Sequence, residues 1–176
     1  MAHKKCLLVI DVQLGMFSLS RALYKSDFLL KNIKILIEKA KKENAPVVFV
    51  QRCGSENSPF KKGSSGWNIH PSINPDVNDY VIEKKYSDSF QDTGLNEILT
   101  NLEIDRIVVC GLVTEGCIDT TTRRAFSLGY KIEVVGDCHS TTDSNVLTAE
   151  QIISHHNEVL KIFSEVKEAK DIDFNA

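Results

Sequence analysis

A chain of 176 residues with 42% hydrophobic and 26% charged residues has the size and composition of one ordinary domain, 1–176, able to bury a core without disulfides or a structural metal. Its formal charge of -3 supplies no broad cationic field, which argues against nucleic acid and anionic membranes as partners. Cys6, Cys53, Cys110, Cys117 and Cys138 form no Cys-x-x-Cys pair, so neither a disulfide framework nor a zinc cluster is expected and all should be thiols.

In chain order, the apolar run ending at Ile10 is too short for a signal-peptide core, and no later stretch can span a bilayer, so a cytoplasmic location is expected. Leu7 to Ile10 is continuously apolar, as a strand covered on both faces requires. Leu29, Ile33, Leu36, Ile37 and Ala40 then recur at helical spacing, and Val47 to Val50 predicts a second strand. The basic runs Lys39 to Lys42 and Lys61 to Lys62 read as solvated surface. Residues 52–79 hold glycines, serines, prolines and the only tryptophan. This connection is far longer than the ~2–6 residues usual between such elements, and Trp67, Ile69, His70 and Pro71 are expected to anchor it as an ordered loop over the pocket.

Val81 to Ile82 suggests a short strand, Leu95, Ile98, Leu99 and Leu102 a helix, and Ile107 to Cys110 a further strand. A helix is expected from about Cys117 to Gly129, where glycine supplies a left-handed cap, followed by a strand over Ile132 to Val135. The last helix starts at Thr148 with Gln151 completing a capping box, and is expected to bury Ile152, Ile153, Val159, Leu160 and Phe163. Strands alternating with helices predict right-handed crossovers and a three-layer α/β/α domain with a mainly parallel sheet. The strand order is not readable from this pattern.

In such sheets ligands bind beyond the carboxyl ends of the strands, which singles out Asp11, Lys84 and Cys117. By position alone Asp11 is equally a cap and Lys84 a solvated lysine, with Lys85 competing for any role. Cys117 stands out, because a thiol at a helix N-terminus is expected to have its pKa lowered from ~8.5 toward neutrality. Together the three suit acyl transfer: the carboxylate accepts the thiol proton, the ammonium favours both anions, and N–H groups between Gly111 and Cys117 bind an oxyanion.

Several blocks carry a family resemblance: Leu-Leu-Val-Ile-Asp-Val-Gln at 7–13, Val-Ile-Glu-Lys-Lys-Tyr-Ser-Asp-Ser-Phe-Gln-Asp-Thr-Gly-Leu at 81–95, Val-Val-Cys-Gly-Leu-Val-Thr-Glu-Gly-Cys at 108–117, and Ala-Phe-Ser-Leu-Gly-Tyr at 125–130 running into Val-Val-Gly-Asp. In their order and spacing the chain resembles the isochorismatase-like cysteine hydrolases, whose fold is Rossmann-like. The resemblance implies a catalytic triad of Asp11, Lys84 and Cys117, with Lys84 selected over Lys85 by its six-residue spacing to Phe90. It also implies a cis peptide at Leu112–Val113 and an oxyanion hole built from the backbone N–H groups of Val113 and Cys117.

Two departures narrow the chemistry that the resemblance implies. Where metal-binding nicotinamidases of the family carry Asp-x-His, this chain reads Val-Gln-Arg-Cys-Gly at 50–54, so no metal and no other cofactor is expected. The true isochorismatases lack the nucleophilic cysteine, so its presence points to a carbon–nitrogen bond in a small amide, carbamoyl or ureido substrate, cleaved through a Cys117 thioester. A homo-oligomer is expected by the same analogy. His70, His155 and His156 remain open as ligands or bases, with His156 expected to pack in the core. A noncatalytic binding or thiol-redox protein on the same scaffold is the competing reading.

Overall fold

The computed structural model describes residues 4–18 and 20–175. Its strands are β1 (Lys5–Ile10), β2 (Val47–Arg52), β3 (Tyr80–Lys84), β4 (Arg106–Leu112), β5 (Lys131–Ser140) and β6 (Glu165–Lys167), with helices α1 (Leu14–Phe17), α2 (Ser26–Lys42), α3 (Leu95–Asn101), α4 (Asp119–Ser127) and α5 (Ala149–Leu160). The strands form one parallel sheet in the order β3-β2-β1-β4-β5-β6. Side chains alternate across it. Leu7, Val9, Val47 and Phe49 pack with Leu29, Ile33 and Leu36 of α2 on one face. Cys6, Leu8, Ile10 and Val109 pack with Leu95, Leu99, Ala125 and Leu160 from α3, α4 and α5 on the other. These are the expected three layers. No described helix is long and apolar enough to cross a membrane.

The chain winds outward from β1 to β3, then returns to the other side of β1 with β4, which creates a topological switch point between β1 and β4. Gly111 is needed there: its φ is +124°, and a Cβ would stand 2.1 Å from the Ile10 carbonyl oxygen. β2 reaches β3 through residues 53–79, which contain only two single 3₁₀ turns, Ser65–Trp67 and Pro71–Ile73. Trp67 anchors this loop through its carbonyl, which accepts from Gln13 Nε2 at 2.7 Å and Gln51 Nε2 at 2.8 Å. Ile69 bridges Gln13, and the His70 N–H donates to Val12.

Several expectations need correction. β5 continues five residues past Val135, and β6 was not legible. Cys117 sits in a π-helical turn, Thr114–Ile118, ahead of α4 and not at the start of a regular helix. The capping box of Thr148 and Gln151 is present, but of the residues expected to be buried by α5 and its extension only Ile152 and Leu160 are; Ile153, Val159 and Phe163 are half-buried. The basic run ending α2 is more than solvated surface: Lys39 donates to the Ile172 carbonyl, and Lys41 pairs with Asp76 and Asp79 at 2.7 and 2.8 Å.

Candidate active site

Asp11 follows β1 directly in a left-handed conformation (φ 52°), which aspartate tolerates better than most residues. Its N–H donates to Val50 and its carbonyl accepts from Gln13, so the turn is held from both sides. Lys84 closes β3. Its side chain is fully buried, with Nζ 3.0 Å from Asp11 Oδ2 and 3.1 Å from the Ser87 carbonyl. Lys85 is exposed, as alternation along a strand requires. Segment 85–93 is fastened to α4, because Ser89 N–H donates to Thr121 Oγ1 at 3.1 Å and the two hydroxyls meet at 2.9 Å.

Cys117, only 3% exposed, completes the group. Its thiol and the Lys84 ammonium both act on the Asp11 carboxylate, yet neither carboxylate oxygen has a well-aligned hydrogen bond among the described residues. Burial raises the Asp11 pKa above its ordinary value, and Lys84 and Cys117 oppose the rise. For Cys117, burial is again the largest influence and the Asp11 charge adds to it, so its pKa is raised despite Lys84. The expected shift toward neutrality is therefore not what the surroundings favour: burial and the Asp11 charge hold the Cys117 pKa above its ordinary value. The Leu112–Val113 peptide is cis, and it immediately precedes the turn that carries Cys117. A cavity of about 250 Å³ reaches Lys84 between Cys53, Tyr86 and Asp92.

The other candidates stand apart. Cys53 is half-buried, with the Trp67 indole N–H 3.3 Å from its sulfur. Burial pushes the Cys6 thiol up to about 12 and likewise raises those of Cys110 and Cys138. His70 meets the Ser72 hydroxyl at 2.8 Å and packs on Phe17. His155 is exposed, and His156 is half-buried, not core, with Nδ1 2.9 Å from the Ile152 carbonyl. At 52–54, the backbone N–H and C=O of Arg52 are both taken by the Gln13 amide, at 2.8 and 3.0 Å. Among the described residues no three His, Cys, Asp or Glu side chains are grouped to hold a metal.

Sequence reasoning missed His139. It is buried on the extension of β5, between Thr114 and Asn157. The filter that found Asp11, polar residues directly after a strand, points to Asp137-Cys138-His139-Ser140 as well.

Fold and site together define a doubly wound α/β protein with a buried cysteine at the switch point of its sheet. The chain belongs to the isochorismatase family, the Isochorismatase domain matching residues 5–158. It is 31% identical over 139 residues to a streptothricin hydrolase of Streptomyces noursei, a match covering 79% of this chain and 50% of that protein, so the chain spans about half the length of that relative. The fold matches the crystal structure of an isochorismatase from Pseudomonas putida with a TM-score of 0.92 at 27% identity, covering 97% of this chain and 90% of that one. It matches N-carbamoylsarcosine amidase from Thermoplasma acidophilum with a TM-score of 0.80 at 25% identity, covering 97% and 99%.

Proposed function

We propose that this chain is a cysteine-dependent hydrolase that cleaves the carbon–nitrogen bond of a small amide, carbamoyl or ureido substrate through a thioester on Cys117. The observation that carries the reading is the gathering of Asp11, Lys84 and Cys117 out of solvent beyond three strands of the sheet. The names of two relatives, a hydrolase and an amidase of a carbamoyl compound, support it.

In the first step the Cys117 sulfur attacks the substrate carbonyl while its proton passes to Asp11. Burial makes this carboxylate a stronger base than a solvated one, and Lys84 favours its ionised form. The N–H groups of Val113 and Cys117 receive the developing oxyanion. The carbon–nitrogen bond then breaks, and the amine leaves with the proton held by Asp11. Water attacks the thioester, yielding a proton to Asp11; the carbon–sulfur bond breaks and the proton returns to the sulfur.

Purified protein incubated with primary amides, carbamoyl amino acids and ureides should release ammonia from at least one of them. An acid quench should trap an acyl mass on the Cys117 peptide, absent in Cys117→Ala and present in Cys53→Ala. Turnover that survives Cys117→Ala, or thiol oxidation with no turnover of any compound, would overturn the reading in favour of the binding or redox alternative. Because the segment after the second strand reads Val-Gln-Arg-Cys-Gly at 50–54 and carries no Asp-x-His, dialysis against a chelator should leave the rate unchanged. A loss restored by zinc, iron or manganese would count against a metal-independent mechanism.

A further inference from the structure

Two side-chain contacts fasten the Cys117 turn to the end of β5. Thr141 Oγ1 donates to Glu115 Oε1 at 2.8 Å, and Thr114 Oγ1 lies 2.9 Å from His139 Nδ1. On the other side of the ring, Nε2 is 2.8 Å from Asn157 Oδ1 on α5, while Asn157 Nδ2 donates to the Gly136 carbonyl at 3.1 Å. For a neutral ring these contacts admit one consistent set of hydrogens. With the Asn157 amide nitrogen committed to a carbonyl, its oxygen faces the ring, so Nε2 carries the hydrogen and Nδ1 accepts from the Thr114 hydroxyl. His139 is 3% exposed, and burial lowers its pKa to about 4, the Asn157 contact opposing and His156 adding to the fall. Near neutral pH the ring is therefore neutral, the form whose Nδ1 can accept.

Thr114 directly follows Val113 and stands three residues before Cys117. Oxyanion donors work only within a few tenths of an ångström of their best position, and losing one costs about a hundredfold to a thousandfold in rate. We propose that His139 is a positioning residue: through Thr114 it sets the orientation of the turn that presents the Val113 and Cys117 N–H groups to the oxyanion, without governing the ionisation of Cys117. This rests on Cys117 being the nucleophile. The charges acting on Cys117 are those of Asp11 and Lys84, so the two effects can be separated.

Two reagents separate them. Acetylation of Cys117 by p-nitrophenyl acetate passes through a tetrahedral oxyanion, whereas alkylation by iodoacetamide displaces iodide at a saturated carbon and forms none. In His139→Ala, acetylation of Cys117, followed by peptide mass, should fall by about a hundredfold, while alkylation measured at the same pH, which draws on the same thiolate fraction, stays within about twofold of the unmodified protein. His139→Asn returns an acceptor near the Nδ1 position and should recover most of the acetylation rate. The ring borders a cavity of about 320 Å³ between α2 and α5, so its truncation enlarges an existing space. If circular dichroism nevertheless shows His139→Ala unfolded, Thr114→Val removes the donor from the other end and must give the same selective loss.

Acetylation unchanged in the variant, acetylation and alkylation falling together, or an asparagine variant no better than alanine would each overturn the proposal. The nucleophile reading fails differently: nitrophenolate release would then persist at the original rate in Cys117→Ala.

Discussion

Lys84→Met is expected to lower kcat/KM about a thousandfold, on the scale of a lost general base, while Lys85→Met stays within about twofold. The difference follows from burial. The Lys84 ammonium faces Asp11 at 3.0 Å with both side chains out of solvent, whereas Lys85 is exposed. Methionine matches the length and most of the volume of lysine, so the packing around the removed charge survives. With the largest influence opposing burial removed, Asp11 holds its proton more tightly, and the group that should receive the Cys117 proton is more often occupied. Cys117 loses the one charge that lowers its pKa, so its alkylation near neutral pH should slow as well. Both losses can be read in one set of proteins, with hydrolysis measured on the substrate found by the amide panel and alkylation followed by mass. A larger loss in Lys85→Met than in Lys84→Met on both measures would overturn the assignment of the ammonium.

The parts of this site that were legible in the sequence share a physical cause. Central strands covered on both faces must be continuously apolar, so β1, β2 and β4 announce themselves, and the polar residue ending each run marks the carboxyl edge. Alternation along a strand says only that one of Lys84 and Lys85 faces the site, and the choice of Lys84 comes from the spacing to Phe90 that the family resemblance supplies; in the structure Ile82 and Lys84 are buried while Val81, Glu83 and Lys85 are exposed. β6 was not legible: Glu165-Val166-Lys167 is an edge strand of half-buried and exposed residues with no apolar run. The end of β5 failed for a different reason. Asp137, His139 and Ser140 interrupt the apolar pattern, yet each is satisfied from a distant segment: Asp137 by Asn32 and the Ala169 N–H, His139 by Thr114 and Asn157, Ser140 by the Tyr24 carbonyl. Such partners lie far apart in the chain, and periodicity carries no information about them. The acidity of Cys117 was misjudged because a helix-end dipole is a local, readable feature, whereas burial and the charge of a residue from another strand are not.

Asp11→Asn is expected to cost about ten-thousandfold in the acylation step, near the upper end of general-base effects. It should also change two pH profiles in directions fixed by the raised pKa of Asp11. Asparagine keeps the shape of the side chain but can neither accept the Cys117 proton nor return it to the leaving amine. In the unmodified enzyme the working form is the ionised carboxylate, so hydrolysis should fall as pH falls through the raised pKa, above the ordinary value of 3.8. The residual activity of Asp11→Asn should lack that limb. Stability runs the other way. Since the folded protein holds the Asp11 proton more tightly than the unfolded chain, the stabilising contribution of this group is complete below the unfolded pKa and is lost as pH rises through the folded one. Urea midpoints measured across that range should therefore show the stability of the unmodified protein, relative to Asp11→Asn, shrinking as pH rises. The opposite slope would mean that Lys84 outweighs burial, leaving Asp11 a weaker base than a solvated carboxylate and unsuited to take the proton from a thiol whose own pKa is raised.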